Sequence, residues 1–300
     1  MTPRLAITNA TAGGAEHEAV SAALDVLRAD GPLQVEATAD AGALDTVLSA
    51  VERSDQGDDP IVVVVGGDGS LHALFNALHR SGHLDRTWVG LIPLGTGNDF
   101  ARGVGLSLDP RTAATQHVNG TPQAIDVLID DQNRLTVNAV HLGVGAEAGR
   151  EASAWKVRLG RFGYVVGAVK AGLTAPGLRL RITLDGRRLR HTNGIMQVAI
   201  NNAAFVGGGA ELAPDADPGD GHADVIVSYA NAPLARLGYA LRLRRGEHGE
   251  RDDVLTEQAR RITVEGDEFC INSDGEVSGP YRSMTWQLHR GAATMVLPAG

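Results

Sequence analysis

The stretch IVVVVGGDGS at Ile61–Ser70 decides the fold of this chain. Its five aliphatic residues form a continuous apolar run, which is typical of a strand covered on both faces. The residues that follow have helical spacing at Leu71, Leu74, Phe75 and Leu78, so the glycine loop leads into an amphipathic helix. A buried strand, a loop of nearly bare backbone and a helix together form the repeating unit of an α/β sheet.

The same alternation of strand and helix runs through the first third of the chain. RLAIT at Arg4–Thr8 predicts a strand and Glu16–Arg28 a helix, while WVGLIPL at Trp88–Leu94 predicts a further strand that ends in a second glycine loop, GTGND. We therefore predict a Rossmann-like α/β domain over residues 1–124, with a parallel sheet and helices on both sides.

The pattern changes near residue 125. Strand-like runs then follow one another, with turn signals such as DDQN, DGRR and PGDG between them. Two helical stretches interrupt these strands, at Phe162–Leu173 and Leu234–Leu243. We predict a mainly antiparallel second domain of stacked sheets over residues 125–289, with the C-terminal segment 290–300 as a candidate completion of the first domain.

Composition and charge exclude several classes of protein. The net charge of −9 argues against a general nucleic-acid binder. The single Cys270 excludes an intramolecular disulfide and fits a reducing cytoplasm. The start, MTPRLAITNA, lacks the long apolar stretch of a secretory signal, and the longest aliphatic run, Ile61–Val65, is too short to cross a bilayer. We therefore expect a cytoplasmic protein.

Positive charge is concentrated in one part of the chain. Residues 150–190 hold 10 basic side chains against Glu151 and Asp185, for a net charge of +8. This block is either a solvated arginine-rich face or a surface patch for anionic head groups, where each basic residue near a membrane is worth about 1 kcal/mol. The second interpretation predicts peripheral contact with the inner membrane face.

Both glycine loops follow the carboxyl ends of predicted strands, where open α/β sheets bind their ligands. Each loop leads toward a helix start, at Ser70–Leu71 and at Asp99–Phe100. Backbone N–H groups at a helix start bind anions, and glycine lets a phosphate come close. Ser70 is also a candidate N-cap. Neither the P-loop nor the G-x-G-x-x-G pattern is present, so backbone amides and polar side chains would hold the phosphate.

Asp68 places a negative charge inside the first loop. A carboxylate there repels a bare phosphate, so it makes sense if Mg²⁺ lies between them or if it accepts a proton from an attacking hydroxyl. A tight turn between strand and helix is the alternative for GGDGS alone. The second loop reduces the weight of that alternative, because Thr96, Asn98 and Asp99 supply more polar chemistry than a turn requires.

These segments carry a resemblance to a known family. GGDGS, followed some 20 residues later by GLIPLGTGNDFAR, resembles the catalytic domain of the diacylglycerol kinase and lipid kinase family, which includes sphingosine and ceramide kinases. AIDV at Ala124–Val127, GGGAELAPDADPGDG at Gly207–Gly221 and SDGE at Ser273–Glu276 are similar to further segments of the family. The resemblance implies an α/β nucleotide domain, a β-sandwich domain, and an active site in the cleft between them.

The resemblance also implies the residues that bind ATP. Asn9 lies in TNATAGG, a segment similar to the family's N-terminal nucleotide loop, although Ala10 replaces the usual proline. The remaining implied contacts with the ATP phosphates and Mg²⁺ come from the two glycine loops: Gly66, Gly67, Asp68, Gly69 and Ser70 from the first, and Gly95, Thr96, Gly97, Asn98 and Asp99 from the second.

SDGE has a local and a family interpretation. Between strands, Asp274–Gly275 is typical of a hairpin turn. The family instead implies that Asp274 acts as the general base and that Glu276 contacts the nucleotide or orients the site, and on an extended strand the two would share a face. The competing assignment makes Asp68 the base.

Two further aspartates match acidic positions of the family, and two other positions lack an acidic residue that many relatives have. Asp126 and Asp220 match the acidic positions of a structural Mg²⁺ found in some bacterial members, although both are equally well explained as turn or strand-end aspartates. Many relatives have a glutamate where this chain has Ala73, and an aspartate where it has Gly145. Both lost acids lie near the expected acceptor site, so the identity of the acceptor is left open.

The leading hypothesis from the sequence is an ATP- and Mg²⁺-dependent kinase that phosphorylates a lipid hydroxyl. It predicts a lipid substrate and peripheral contact with an anionic membrane surface, excludes nucleic acid as a partner, and leaves a homodimer open. One alternative is a kinase for a soluble metabolite, because NAD kinases share the GGDG loop and the two-domain plan. The other is a nucleotide-binding regulator that has lost catalysis.

Overall fold

The structure is a computed structural model that describes residues 4–9, 14–38, 41–49, 61–143, 177–190, 194–230, 233–243 and 248–299. The predicted helix at 162–173, most of the basic block at 150–190, and Gly145 lie outside these described residues. None of the helices that the structure describes is long and apolar enough to span a membrane.

The first domain is a parallel sheet of alternating strands and helices, as predicted. Its strands run in the spatial order β4-β3-β1-β2, all parallel. The elements are β1 (Arg4–Asn9), α1 (Gly14–Asp30), β2 (Leu33–Thr38), α2 (Ala41–Ser49), β3 (Ile61–Gly66), α3 (Asp68–Ser81), β4 (Trp88–Pro93), α4 (Asp99–Gly103) and α5 (Pro110–Val118).

Helices cover both faces of this sheet, because successive side chains of β3 point in opposite directions. Val62 and Val64 pack in one core with Leu71 and Phe75 of α3. Val63 and Val65 belong to a second core on the opposite face, with residues from α1 and α5. The continuous aliphatic run therefore marks a doubly covered strand, as expected.

The second domain is built mainly from antiparallel strands. They are β5 (Thr121–Asp130), β6 (Leu135–Thr136), β7 (Ala139–Gly143), β8 (Leu180–Leu184), β9 (Arg187–Arg188), β10 (Gln197–Asn201), β11 (Phe205–Val206), β12 (Ala210–Glu211), β13 (Ala223–Ser228), β14 (Val254–Ala259), β15 (Arg261–Ser273) and β16 (Glu276–Leu297). A helix, α6 (Pro233–Leu243), and a short 3₁₀ turn at His248–Glu250 lie between β13 and β14. The predicted combination of an α/β domain and a β-sandwich-like domain is confirmed.

β15 connects two groups of strands that enclose the core of the second domain, one containing β8 and the other containing β7. Its first half pairs with β8, and its last residues pair with β7, after register shifts between Glu265 and Ile271. Residues from both groups of strands pack in one core with the fully buried Trp286. β-bulges let the chain continue as one strand through Gly266, Asp267 and Glu268.

β16 links the second domain to the first. It pairs with β15 over most of its length, and near its end Thr294 and Met295 pair in parallel with Trp88 and Val89 of β4. Hydrogen bonding thus connects the described strands, except the small β11–β12 hairpin, into a single sheet of 14 strands.

Candidate active site

The two glycine loops touch each other through their backbones. They follow the neighbouring parallel strands β3 and β4, and the backbone N–H of Leu94 donates to the carbonyl of Gly66 at 3.0 Å. A Cβ atom on Gly95 would lie 2.6 Å from the Cα of Gly67, and one on Gly67 would lie 2.8 Å from the Cα of Gly95. Glycine is therefore required at both positions, because any side chain would push the loops apart.

Asn98 folds the second loop onto itself. Its backbone is left-handed, with φ of 53°, and its side chain is buried. The side-chain Oδ1 accepts from the N–H of Gly95 at 2.9 Å, while Nδ2 donates to the carbonyl of the same residue at 2.7 Å. Asn98 thus fixes the shape of the loop. The other predicted side chain there, Thr96, is exposed to solvent.

Asp68 joins the first loop to the helix that follows the second. Its Oδ2 accepts from the N–H of Asp99 and its Oδ1 from the N–H of Phe100, both at 3.1 Å. These are the first two amides of α4, which has no side-chain cap of its own. Among the residues that the structure describes, each oxygen of Asp68 has one such partner, so each retains a lone pair for another.

Asp99 ties the first domain to the second. Its Oδ1 and Oδ2 accept from the N–H of Gly208 at 3.0 and 2.9 Å, and its Oδ1 accepts from Gly209 at 2.7 Å. Burial raises the pKa of Asp99, and the charge of Asp68 adds to that rise, whereas the amides of Gly208 and Gly209 oppose it. This carboxylate therefore carries a contact between the domains as well as lining the site.

The helix after the first loop begins two residues earlier than predicted. α3 starts at Asp68 with Gly67 as its N-cap, so the expectation that Ser70 caps the helix is wrong. Gly67 has extended backbone angles that let the helix start at once, and Ser70 lies in the first turn with its N–H bonded to the carbonyl of Gly67. The amides of Asp68 and Gly69 have no hydrogen-bond partner among the described residues. The space beside Gly69 is open.

Asp274 and Gly275 form the two-residue turn between β15 and β16. Ser273 pairs with Glu276, and both turn residues have positive φ, 49° and 99°, as a type I′ hairpin requires. The local interpretation of the sequence is therefore right. The expectation that Asp274 and Glu276 share the face of a strand is wrong, because Asp274 lies in the turn. Its side chain is buried, whereas Glu276 is exposed.

The carboxylate of Asp274 is fully occupied by hydrogen bonds. Its Oδ1 accepts from the N–H groups of Asn138 and Ala139, both at 2.9 Å. Its Oδ2 accepts from the N–H of Val137 at 2.7 Å and lies 2.9 Å from Nδ1 of His72. With two partners on each oxygen, Asp274 holds the hairpin against the β6–β7 segment and against α3.

His72 extends this contact into the first domain. Burial lowers its pKa, but the hydrogen bond and charge of Asp274 and the charge of Glu276 outweigh that effect, so the pKa is raised above 6.5. One turn along α3, Asn76 exchanges two hydrogen bonds with the backbone of Leu135, at 2.9 and 3.0 Å. α3 is therefore fixed to the second domain at two successive positions.

A cleft of about 350 Å³ lies between the domains. Its lining includes three aspartates, Asp68, Asp99 and Asp274. None of its described lining residues is Lys or Arg. The remaining lining is largely apolar, with some amide and imidazole groups: Leu71, Phe100, Val137, Asn138, Ala139, His141, Gln197, Val206, Gly207, Asn272 and Gly275.

Asp126 and Asp220 lie apart from this cleft. The buried carboxylate of Asp126 accepts from the N–H groups of Gly221 and Gly291, at 2.6 and 2.7 Å. Asp220 is exposed, and its Oδ1 accepts from the N–H of His222 at 2.8 Å. In the part of the chain that the structure describes, no three Asp, Glu, His or Cys residues come together in a group that could hold a metal ion. The structural Mg²⁺ stays a prediction.

Some site residues were missed or lie beyond the structural description. Asn9 is the last residue of β1, and its side chain is outside the described part. His72 was not predicted, although its i, i+4 spacing with Asn76 beside the apolar stripe of α3 was a usable signal. His141 and the amides of Gly208 and Gly209 had no local signal, because their roles depend on contacts between distant segments.

Comparison with protein families assigns both halves of the chain. Residues 3–129 match the family described as diacylglycerol kinase catalytic domain. Residues 138–296 match the family described as YegS C-terminal NAD kinase beta sandwich-like domain. The two matches follow the α/β part and the antiparallel part of the fold.

Similar proteins support the same assignment. A diacylglycerol kinase of Staphylococcus haemolyticus (strain JCSC1435) is 31% identical over 248 residues, which cover 78% of this chain and 70% of the relative. A diacylglycerol kinase of Staphylococcus carnosus (strain TM300) is 29% identical over 231 residues, covering 76% and 74%. A crystal structure of a diacylglycerol kinase from Bacillus anthracis str. Sterne has the same fold, with a TM-score of 0.76 at 24% identity over 98% of this chain and 96% of that one.

The fold and the matched segments together define a kinase whose phosphoryl acceptor is an alcohol group. The chain belongs to the diacylglycerol kinase family of lipid kinases, as the resemblance of its two loops predicted.

Proposed function

We propose that this protein transfers the γ-phosphoryl group of ATP, with Mg²⁺, to the free hydroxyl of an uncharged, diacylglycerol-like lipid bound in the cleft between the domains. The observation that carries the proposal is the direct backbone contact of Gly67 with Gly95, because it joins two phosphate-sized loops at one edge of the sheet, next to a partly apolar cleft.

The start of α3 supports phosphate binding. The unpartnered amides of Asp68 and Gly69 lie at the N-terminus of a 14-residue helix, whose dipole favours an anion. The open space beside Gly69 admits a phosphate oxygen close to the backbone. We assign the phosphates to this loop and to Gly95–Asp99, with Ser70 and Thr96 as side-chain donors.

Mg²⁺ fits between the two loop carboxylates. A Cβ on Gly97 would lie 2.9 Å from Oδ2 of Asp68 and 3.5 Å from Oδ2 of Asp99, so both oxygens converge on this bare position. One or two carboxylates together with substrate phosphates form the usual protein site for Mg²⁺. We assign the ion to these two oxygens, where it would neutralise phosphate charge when bound.

Asp68 is the better candidate for the group that accepts the hydroxyl proton. All four acceptor positions of Asp274 are already used, so taking a proton there would break a hydrogen bond. Oδ1 of Asp68 accepts only one amide, and the residue lines the cleft. We assign Asp274 to holding the domains together, and most of the rate enhancement to positioning of the hydroxyl against the phosphate.

The lining of the cleft supports an uncharged acceptor. Its described lining includes three aspartates and no Lys or Arg, so an anionic head group would be repelled. Its apolar side chains fit acyl chains close to the head group. Relatives named diacylglycerol kinase point to the same class of lipid.

The test is to incubate the purified protein with γ-labelled ATP, Mg²⁺ and a detergent-dispersed total lipid extract, and then to separate organic from aqueous products. We expect label in the organic phase that disappears with Asp68→Ala. Label only in a new aqueous product would favour a soluble metabolite as acceptor. ATP binding without any labelled product would favour the regulator that has lost catalysis.

We also propose peripheral contact with anionic membranes through the basic segment around Arg158 and Arg161. Three arginines of the block that the structure describes pair with acidic residues, Arg179 with Asp267, Arg181 with Glu265 and Arg187 with Glu257, so they are not the main candidates. Replacing Arg158 and Arg161 with Gln should reduce binding to anionic vesicles. Unchanged binding would refute this contact.

A further inference from the structure

His141 lies in the wall of the cleft, and its ring makes no hydrogen bond to any residue that the structure describes. It is in the middle of β7, opposite Ala199 of β10 and Asn272 of β15. Its neighbours along the strand, Val140 and Leu142, point into the core of the second domain, so the imidazole points to the other face, toward the cleft. Its Nδ1 is buried and has no partner among the described residues.

Asn138 leaves a second buried polar atom without a partner in the same wall. Its Nδ2 donates to the carbonyl of Phe205 at 3.0 Å, which fixes the orientation of the amide. Its Oδ1 is buried and unpaired among the described residues. Both Asn138 and His141 line the cleft. Buried polar atoms are nearly always hydrogen-bonded, so two exceptions in one wall point to a missing partner.

The chemistry of the two groups defines that partner. Burial lowers the pKa of His141 to about 4, although the charge of Asp274 opposes the shift, so the ring is neutral near pH 7 and has one N–H and one lone pair. Oδ1 of Asn138 can only accept. A hydroxyl group suits either atom, because it can accept from the imidazole N–H and can donate to the amide oxygen. An ester oxygen or an ether would leave Asn138 unpaired.

We propose that His141 and Asn138 bind the free hydroxyl of the lipid acceptor. The assignment rests on the proposed function, because it places the acceptor in the same cleft. His141 is then an acceptor-binding residue that positions the hydroxyl. For the transfer step, the O–H bond turns from Oδ1 of Asn138 to Asp68, which takes the proton. Because both side chains are neutral, they do not attract a charged head group. We therefore expect this site to favour an uncharged alcohol.

Direct binding tests this assignment without requiring turnover. The probes are 1,2-dioctanoyl-sn-glycerol and the dioctanoyl diester of 1,2-propanediol, which differ only by the free hydroxyl. Without nucleotide, we expect the wild-type protein to bind the glycerol diester roughly five- to tenfold more tightly, the size of one well-placed neutral hydrogen bond. His141→Phe and Asn138→Leu should each remove most of this preference, and His141→Gln should restore part of it.

His117 provides the matched control. It is also a buried histidine with an unpartnered Nδ1 and a pKa lowered by burial to about 4, but it packs beside Gly90 in the first domain and does not line the cleft. His117→Leu should keep the full preference for the free hydroxyl, provided that the protein stays folded.

Kinetics supply a second readout. His141→Phe should raise KM for dioctanoylglycerol roughly five- to tenfold, as in the binding experiment, and leave KM for ATP unchanged. A full preference for the hydroxyl in folded His141→Phe or Asn138→Leu would overturn the assignment, as would a wild-type protein that binds both diesters equally. If the protein binds dioctanoylglycerol in a His141-dependent manner but phosphorylates no lipid, the proposed function fails while this site stands.

Discussion

Nδ1 of His72 lies 2.9 Å from Oδ2 of Asp274, and this contact joins the helix after the first glycine loop to the hairpin of the second domain. The same carboxylate also accepts three backbone amides from Val137–Ala139. One side chain therefore fixes the position of the helix after the first glycine loop relative to Val137–Ala139 in the wall of the cleft. This position matters, because phosphoryl transfer depends mainly on alignment of the hydroxyl with the phosphate.

Replacing Asp274 should destabilise the protein as well as inactivate it. In Asp274→Asn, the amide nitrogen would face backbone donors in a buried site, so we expect the free energy of unfolding to fall by about 3 kcal/mol. Urea unfolding measures this loss. Glu276→Gln is the matched control, since Glu276 is exposed two residues away, and it should unfold like wild type. A fully stable but inactive Asp274→Asn would instead support Asp274 as the general base.

His72 should make stability depend on pH. Because its pKa is higher in the folded state than in the unfolded chain, its stabilising effect is complete below pH 6.5 and is lost as pH rises through the folded-state pKa. The difference in unfolding free energy between wild type and His72→Gln should therefore be larger at about pH 6 than at about pH 8.

The control for this pH effect is His79→Gln. His79 lies on the same helix, and its Nε2 contacts Oδ1 of Asn133 in the turn after β5, so it also reaches the second domain but through a neutral amide instead of a carboxylate. We expect the difference between wild type and His72→Gln to depend on pH more steeply than the difference between wild type and His79→Gln, because a carboxylate favours the protonated imidazole and an amide does not. An equal dependence on pH for the two variants would mean that Asp274 does not favour the protonated imidazole.

Two glycine substitutions separate loop packing from phosphate binding. In Gly95→Ala, the new methyl group would meet the Cα of Gly67 at 2.6 Å and Oδ1 of Asn98 at 2.8 Å, so we expect a loss of about 2 kcal/mol in stability. In Gly69→Ala, the methyl group meets nothing within 4 Å, and the helix should be as stable as before or slightly more so.

Gly69→Ala should nevertheless raise KM for ATP at least tenfold, because the methyl group fills the space that we assign to a phosphate oxygen. Thermal unfolding and initial rates, measured on the same preparations, check both halves of this prediction. An unchanged KM for ATP in Gly69→Ala would show that no phosphate binds beside Gly69.

Mg²⁺ should not stabilise the protein in the absence of nucleotide. Both oxygens of Asp126 accept backbone amides, and Asp220 bonds within its own turn, so their contacts match those of structural turn residues. We expect the same Tm with saturating Mg²⁺ and with a chelator. A rise in Tm with Mg²⁺ that Asp220→Asn abolishes would establish the structural ion instead.

The parts of the molecule that depend on local sequence were predictable. The aliphatic run of β3, the apolar spacing of α3 and the Asp274–Gly275 turn each follow from neighbouring residues. The fold was also accessible, because strand and helix patterns alternate in one half and strands follow one another in the other.

Contacts between distant segments were not predictable in the same way. The role of Asp274 depends on amides 135 to 137 residues earlier in the chain, and that of Asp99 on amides 109 and 110 residues later. The continuity of β15 was also hidden, because a bulge and a turn use the same glycine and acidic residues. Resemblance to a family singled out Asp68, Asp99 and Asp274, but only the hydrogen bonds show how many lone pairs each has left.

The course of β16 has a consequence for dissecting this protein. This strand runs from the hairpin beside the cleft into the sheet of the first domain, where Thr294 and Met295 cover the edge of β4. A fragment that ends after the first domain would leave β4 as an exposed, apolar edge open to strands from other molecules. Such a fragment should aggregate, so the nucleotide half of this kinase is not a separable module and acquires its last strand only when the whole chain has been synthesised.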